Sequence, residues 1–261
     1  MRACIIPKLK TNGLATILKE FRKKIKPRII FGMRNCDANA LLVLDKLYLE
    51  GYPDEVYKEK RENTILITIP CDEPEENCFC ESLNLKDYHD LKFIDIGPSY
   101  YIEVGSEKGK TLVHRFKDHK MIGEKQEMDS IKSLNKRKDL KKYFDDPLWK
   151  KEAERCLSCS MCVNICPTCT CFDIVDDVEL NLKEGKRSRQ ADSCQLKSFT
   201  EVAGGHIFRE DRAARLRHFV LHKLQYFKDK YDVNLCVGCG RCITICPVGI
   251  DLVEIANKLG K

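Results

Sequence analysis

The sequence lacks a long hydrophobic run. Nowhere among its 261 residues do roughly 18 apolar residues follow one another, which is the length that a membrane-crossing helix needs. The opening segment MRACIIPKLK is not followed by the apolar stretch of a secretion signal either. We therefore expect a cytoplasmic protein that is not itself inserted in a membrane.

Nucleotide-binding motifs and a one-sided charge are also missing. No G-x-G-x-x-G motif follows a predicted strand, and segment 105–111 (GSEKGKT) is one residue too short between its glycines for a phosphate-binding loop. We therefore predict neither a flavin nor a nicotinamide (NAD) site in this chain and interpret segment 105–111 as a hairpin turn.

The 46 basic residues are nearly matched by 40 acidic ones, so nucleic acid is not an expected partner.

Cysteine, by contrast, is abundant, with 16 residues. Disulfides are rare in a reducing cytoplasm, so this number indicates metal ligation. Half of the cysteines form two copies of the pattern C-x2-C-x2-C-x3-C-P, and a shift of 80 positions superimposes one copy on the other. The first copy contains Cys156, Cys159, Cys162 and Cys166, and the second contains Cys236, Cys239, Cys242 and Cys246.

This spacing is typical of ferredoxins that hold two [4Fe-4S] clusters. The first three thiolates of a copy bind irons of one cluster, and the fourth ligates the other cluster. Structural zinc is the alternative, because C-x2-C pairs also bind zinc, but the repeated fourth cysteine and proline favour iron-sulfur clusters. The predicted ligands are Cys156, Cys159, Cys162 and Cys246 for cluster 1, and Cys236, Cys239, Cys242 and Cys166 for cluster 2.

The residues between the cysteines differ between the two loops. Gly238 and Gly240 in the second loop allow the backbone to come close to the sulfurs, where amide hydrogen bonds tune the potential of a cluster. Ser158 and Ser160 occupy the matching positions of the first loop.

A second group of four cysteines lies in the first half of the chain, after two predicted strands. Loops that follow strands often carry functional groups, so these thiols could converge on a third [4Fe-4S] cluster. Zinc ligation and unliganded thiols remain the alternatives. The group consists of Cys36, Cys71, Cys78 and Cys80.

The remaining cysteines are not assigned as ligands. Cys4 stands alone, while Cys169, Cys171 and Cys194 lie near the first motif and either shield the clusters or form a fourth site with an outside ligand. Several cations follow in the same region and either contact a partner or offset the negative charge of reduced clusters. They are Lys223, Arg212, Arg215 and Arg217.

The order of predicted elements indicates an α+β fold. We predict a small α/β domain over residues 1–115, a charged linker over 116–145, and a mainly helical two-[4Fe-4S] ferredoxin-like domain over 146–261. In the first domain, a strand at 28–33 precedes a helix capped by Asp37. Further strands are predicted at 64–69, 93–96, 100–104 and 111–113.

The second domain is predicted to contain three principal helices. One starts at Asp146-Pro147, and the last ends before Gly260. Between them, 69 residues separate the two motifs. The later part of this insertion carries one apolar helical face, formed by Ala213, Leu216, Val220, Leu224 and Phe227.

Seven segments, spread over roughly residues 28 to 255, carry a resemblance to a known family. They are FGMRNCD at 31–37, RENT at 61–64, CFC at 78–80, CPTCTCF at 166–172, DSC at 192–194, HK at 222–223 and CPVGID at 246–251. With these segments the chain resembles the electron-transfer beta subunits of cytoplasmic [NiFe] hydrogenases (sulfhydrogenases) and the related electron-transfer subunits of anaerobic sulfite reductases.

The resemblance implies an anaerobic electron-transfer protein that is not catalytic alone. Members of the family relay electrons between a catalytic subunit of hydrogenase or sulfite reductase type and a flavin-bearing diaphorase subunit, and the resemblance also favours a cluster on the second cysteine group. The alternative is a thiol or heterodisulfide-type reductase that acts by itself through a cluster and the additional cysteines.

Overall fold

The computed structural model describes residues 25–114, 132–135, 139–181 and 185–260, together with three short strands near the start of the chain. Cys4 and most of the predicted charged linker at 116–145 lie outside the described residues. The three strands are β1 (Ile5–Ile6), β2 (Leu9–Asn12) and β3 (Ala15–Leu18), of which β2 and β3 pair with each other.

A mixed four-stranded sheet organises the first half of the chain. Its strands lie in chain order, the first three run parallel, and the fourth is antiparallel to the third. They match the predicted strands closely except at 111–113. The strands are β4 (Arg28–Met33), β5 (Thr64–Thr68), β6 (Leu91–Asp95) and β7 (Tyr100–Val104).

Two helices connect β4 to β5, and a third follows β7. The second of them has no counterpart among the predicted elements, and the Asp54 carboxylate caps it by accepting from Tyr57 N at 2.9 Å. The helices are α1 (Asn35–Leu49), α2 (Glu55–Glu62) and α3 (Glu107–Val113).

Two predictions in this half are wrong. Helix α1 begins at Asn35 without a side-chain cap, so Asp37 lies inside its first turn and is free to bind a distant arginine. Segment 105–111 is not a hairpin turn, and 111–113 is not a strand, because the Ser106 hydroxyl accepts from Gly109 N at 3.2 Å and thereby starts α3.

The second half contains short helices around the cysteine motifs. Helix α4 starts directly after Asp146-Pro147, as predicted, and the Asp146 carboxylate accepts from Leu148 N at 2.9 Å. The helices that carry the motifs are only one turn long. In order, α4 is Leu148–Arg155, α5 is Met161–Asn164, α6 is Arg212–Leu221, α7 is Phe227–Tyr231, α8 is Arg241–Thr244 and α9 is Leu252–Lys258.

The insertion between the motifs begins with a β-hairpin that the sequence pattern does not predict. Strands β8 (Phe172–Val178) and β9 (Gly185–Ala191) pair antiparallel, and β1 pairs with β9 on its other side. Most of the side chains of β8 are exposed, so the strand lacks the half-buried alternation by which strands are recognised. The prediction of a mainly helical second domain therefore omits this hairpin.

The later part of the insertion is one long helix with an irregular turn. A π-helical turn at His222–Tyr226 joins α6 to α7, and the predicted apolar face is buried at Leu216, Val220, Leu224 and Phe227. Such turns are rare and are often found at functional sites. Here, Lys223 is buried together with the apolar face.

Two clusters of buried side chains hold the described residues together. The larger surrounds Trp149 and includes Phe79 from the first half of the chain. The smaller joins Ala40 and Val43 of α1 to Phe227 and Val237. The halves therefore share their cores, and the domain boundaries at 115 and 146 stay a prediction. Among the described residues, no helix combines the length and the apolar character that a membrane span requires.

Replacing Trp149 by alanine should destabilise the larger cluster strongly. The indole is 1% exposed and donates from Nε1 to Tyr143 O at 2.7 Å. We expect a loss of about 3–5 kcal/mol from the cavity and the broken hydrogen bond. Anaerobic thermal unfolding measures it, with the fully exposed Tyr52 replaced by alanine as the control. Equal unfolding temperatures for the two variants would contradict this description of the core.

Candidate iron-sulfur sites

The two cysteine loops have the same backbone path. Ser158 and Ser160 have φ values of 52° and 66°, and Gly238 and Gly240, at the matching positions, have 67° and 72°. Left-handed backbone is unfavourable for serine, so its presence at both positions shows that the loop shape is imposed by more than local preference. In each loop, a one-turn helix follows and carries the third cysteine.

The structure brings the four cysteines predicted for cluster 1 together. Burial raises the pKa of the Cys162 thiol to about 12, and Cys156, Cys159 and Cys246 add to the rise because their charges lie nearby. Cys246 comes from the second motif, as crossed ligation requires. Of the four, Cys159 is exposed to solvent.

The four cysteines predicted for cluster 2 are also neighbours. Burial raises the pKa of the Cys242 thiol well above its ordinary value, and nearby Cys236, Cys166 and Cys239 raise it further. Cys166 is the contribution of the first motif. Cys242 also lines a small apolar cavity with the first group, so the two groups are adjacent.

Hydrogen-bond donors already point at several of these sulfurs. Gly238 N donates to Cys236 Sγ at 3.4 Å, and Ile250 N donates to Cys246 Sγ at 3.2 Å. Lys223 Nζ donates to Cys166 Sγ at 3.0 Å. Donors in this arrangement favour sulfur that carries negative charge, as a thiolate bound to iron does.

The second cysteine group also assembles, at the carboxyl ends of two parallel strands. Cys36 lies in the first turn of α1 after β4, and Cys71 follows β5. Burial raises the pKa of Cys78, and Cys80, Cys71 and Cys239 add to the rise from nearby. Burial likewise raises the pKa of Cys36 to about 12, with further increases from Asp37, Cys239 and Cys80. This group therefore borders Cys239 of the second ferredoxin motif.

Direct backbone contact fixes this neighbourhood. Phe79 N donates to Gly238 O at 2.8 Å, and a Cβ on Gly238 would lie 2.5 Å from Cys80 Cα. At Gly240, an added Cβ would lie 2.4 Å from Asn77 O. Glycine is thus required at both positions because the segment 77–80 fills the space that a side chain would occupy.

An ion pair closes the same contact from the other side. Arg241 donates from both terminal nitrogens to the Asp37 carboxylate, at 2.6 and 2.7 Å. The bidentate pair joins the first turn of α1 to α8, each next to a cysteine of its group. The role of Asp37 is therefore to connect the two halves.

The three groups fit [4Fe-4S] clusters better than single metal ions. In the part of the chain that the structure describes, no three His, Cys, Asp or Glu side chains converge tightly enough for one ion. A single zinc ion would need every one of its thiolates at about 2.3 Å from the ion. In a cubane, each thiolate binds a different iron, so the thiolates lie farther apart. Burial raises the pKa of several of these thiols, Cys36, Cys162 and Cys242 among them, so a positive metal would help them to ionise together.

The unassigned cysteines form contacts of their own. Cys169 shares a side-chain hydrogen bond with Cys166, and Cys171 shares one with Cys194. Together with Lys223, three of them border a cavity of about 280 Å³. Of these three, Cys169 lies beside Cys166, and the shielding role of the unassigned cysteines stays a prediction.

The other singled-out cations differ in position. Arg215 is buried and donates to Ser158 Oγ at 3.2 Å, while the exposed Arg212 donates to Cys156 O at 2.8 Å. Arg217 lies 3.7 Å from the centre of the Phe144 ring. The direct contact between Lys223 and a predicted ligand is the feature that the sequence could not locate, since 57 positions separate them.

His218 and His222 are not arranged as metal ligands. Their rings stack with centroids 5.3 Å apart. Burial lowers the pKa of each to about 4, and neighbouring positive side chains contribute to the decrease. Both are therefore neutral packing residues of the long helix.

Comparison with known proteins adds independent information. A family model described as a 4Fe-4S dicluster domain matches residues 155–250. The chain is 36% identical over 249 residues to the sulfhydrogenase 2 subunit beta of Pyrococcus furiosus, which covers 88% of this chain and 73% of that protein. It is 23% identical over 174 residues to the F420-dependent formate dehydrogenase subunit beta of Methanocaldococcus jannaschii, covering 61% and 38%. No solved structure matches the chain.

Replacing Gly238 by alanine should separate the second loop from the segment 77–80. Gly249, with φ of 64° and its nearest atom 3.8 Å from an added Cβ, provides a matched control. Both alanines bear left-handed strain of roughly 1–2 kcal/mol, but only Gly238→Ala meets backbone. We expect a lower unfolding temperature and less bound iron in Gly238→Ala than in Gly249→Ala, measured on anaerobic protein. The same values in both would show that the contact has no importance.

Proposed function

This chain belongs to the family of sulfhydrogenase beta subunits, and we propose that it relays single electrons between a catalytic redox subunit of hydrogenase or sulfite reductase type and a flavin-bearing diaphorase subunit. Its relatives are beta subunits of oxidoreductases, which makes it an iron-sulfur electron-transfer subunit. The identity of both partners and the number of clusters belong to the proposal.

The central position of the cluster 2 group supports the proposal most strongly. Cys242 borders the cavity of the cluster 1 group, while the charge of Cys239 raises the pKa of Cys36 and Cys78 in the second cysteine group. The cluster 2 group thus lies between the other two. Three [4Fe-4S] clusters at these positions would form a chain in which each has a direct neighbour.

The proposal assigns each cluster its ligands. Each set includes four thiols that are close in the structure, and the cluster would supply one-electron chemistry there. The protein holds these thiols, donates hydrogen bonds to them and covers them with apolar side chains. The sets are Cys156, Cys159, Cys162 and Cys246; Cys236, Cys239, Cys242 and Cys166; and Cys36, Cys71, Cys78 and Cys80.

The surface at the cluster 1 group offers a place for electron exchange. Cys159 is exposed, and the neighbouring Leu157 and Met161 are 59% and 41% exposed. Apolar side chains around an accessible site are typical of protein-protein contacts. We propose this face as one of the two ends of the relay.

A second candidate function follows from the unassigned thiols. Cys169, Cys171 and Cys194 line the 280 Å³ cavity beside Cys166, which is the arrangement that a thiol or disulfide reductase would need. Reduction of small disulfides by the isolated, reduced chain would favour this function. A chain that exchanges electrons with a flavoprotein but turns over no disulfide would favour the relay.

Anaerobically purified protein should contain roughly 12 irons and as many acid-labile sulfides per chain, as three cubanes require. Cys36→Ala should lower the iron to roughly 8, because it removes one predicted ligand of the third cluster. Cys171→Ala, which alters an unassigned thiol, is the control and should leave the iron content unchanged.

Zinc is measured alongside, and EPR spectra of the reduced protein identify the clusters. Roughly 8 irons in the unaltered chain would remove the third cluster from the proposal. Zinc without iron in an anaerobic preparation would overturn it altogether.

Purification of the chain from its own cells under anaerobic conditions should yield a complex. We expect two further subunits to copurify, one flavin-containing and one catalytic. Nickel in the catalytic subunit would indicate the hydrogenase type, and siroheme would indicate the sulfite reductase type. Addition of the reduced flavin-containing protein should reduce the clusters, as followed by EPR. Complete recovery of the chain as a lone, catalytically active protein would contradict the relay.

A further inference from the structure

Lys223 is a buried cation held against a predicted cluster ligand. Its side chain is 3% exposed, and Nζ lies 3.0 Å from Cys166 Sγ and 2.9 Å from Thr168 Oγ1. Thr168 is itself fully buried. The ammonium is therefore removed from water and directed at the sulfur by a second polar contact.

The local backbone accounts for this position. Lys223 lies in the π-helical turn His222–Tyr226, and its carbonyl accepts from Cys236 N at 3.2 Å. The same residue thus contacts Cys166 through its side chain and Cys236 through its backbone. These are ligands from both motifs in the proposed set for cluster 2, so the turn is fixed to that site at two points.

A buried ammonium needs compensating negative charge. The side chains that Lys223 Nζ contacts are the thiols of Cys166 and Cys169 and the hydroxyl of Thr168, and none of these is a carboxylate. Burying an uncompensated charge costs several kcal/mol. Thiolates bound to iron would supply negative charge at this position.

We propose that Lys223 is a positioning residue that raises the reduction potential of the cluster held by Cys236, Cys239, Cys242 and Cys166. The inference rests on the proposed function, because it requires a cluster on these ligands. One added electron makes the site one charge more negative, and no bond forms or breaks. A fixed positive charge in contact with Cys166 stabilises that reduced state.

The cations beside the cluster 1 group contact oxygen atoms of its loop. The exposed Arg212 donates to the Cys156 carbonyl at 2.8 Å. Arg215 lies eight residues before Lys223 on the same long helix, but it reaches the first loop through the Ser158 hydroxyl. Its other nitrogen contacts are the carbonyls of Arg209 and Glu210. A cation that contacts a loop hydroxyl stabilises added charge less than one that contacts a ligand sulfur, because the interaction falls with distance. The two sites should therefore differ in potential.

The test is an EPR-monitored redox titration of Lys223→Met in the complete, iron-loaded chain. One cluster signal should shift to lower potential by at least a tenfold change in its reduction equilibrium, about 59 mV for one electron. Lys230→Met is the matched control, since Lys230 borders the same cavity but is exposed and should leave the potentials unchanged. Lys223→Arg, which keeps the charge, should restore most of the potential.

Iron content is measured on every sample so that the two proposals fail separately. Full iron and unshifted potentials in Lys223→Met would overturn the role of Lys223 while leaving the relay intact. Absence of iron from the unaltered chain would overturn both. If Lys223→Met does not retain its iron, Lys223→Gln, which keeps a hydrogen-bond donor without the charge, is titrated under the same criterion.

Discussion

Where the second cysteine loop meets the segment 77–80, two backbones touch without side chains between them. A Cβ at Gly238 or Gly240 would overlap Cys80 or Asn77, and the bidentate pair of Arg241 with Asp37 holds the same surfaces together. The remaining arrangement depends on this approach. It sets the second cysteine group, which contains Cys36 and Cys80, beside Cys239, and it brings Phe79 into the core around Trp149. The packing of Ala40 and Val43 against Phe227 and Val237 joins the two halves at a second place.

The charge of the molecule is organised around that centre. Net charge is small, yet Arg215 and Lys223 are buried on a single long helix, where Arg215 contacts Ser158 in the loop of the cluster 1 group and Lys223 contacts Cys166 of the cluster 2 group. Such cations are costly unless anionic groups lie opposite them. Crowded thiols with raised pKa values are costly to ionise unless a metal binds them. The two unfavourable features compensate each other once iron and sulfide are present, so the protein is built for its loaded state.

The sequence predicts the parts of this structure that depend on local spacing. The cysteine intervals define both loops, the strands β4 to β7 follow apolar runs, and Asp146-Pro147 starts α4 because these signals act within a few residues. Long-range partners leave no such signal. Asp37 looks like a helix cap until Arg241, 204 positions away, provides a better partner, and the hairpin β8–β9 lacks a buried face. Lys223 is likewise assigned only when the fold brings it to Cys166.

The exposed Cys159 makes the cluster 1 group more accessible to solvent than the cluster 2 group. The cluster 2 group is enclosed between the others, with Cys236 and Cys242 packed against the core, whereas the cluster 1 group has one thiol at the surface. An opening through which a partner can approach is equally an opening for dioxygen and peroxide. Oxidative damage should accordingly start at the rim of the first loop and proceed inward, and a docked partner would act as a shield as well as an electron source or sink.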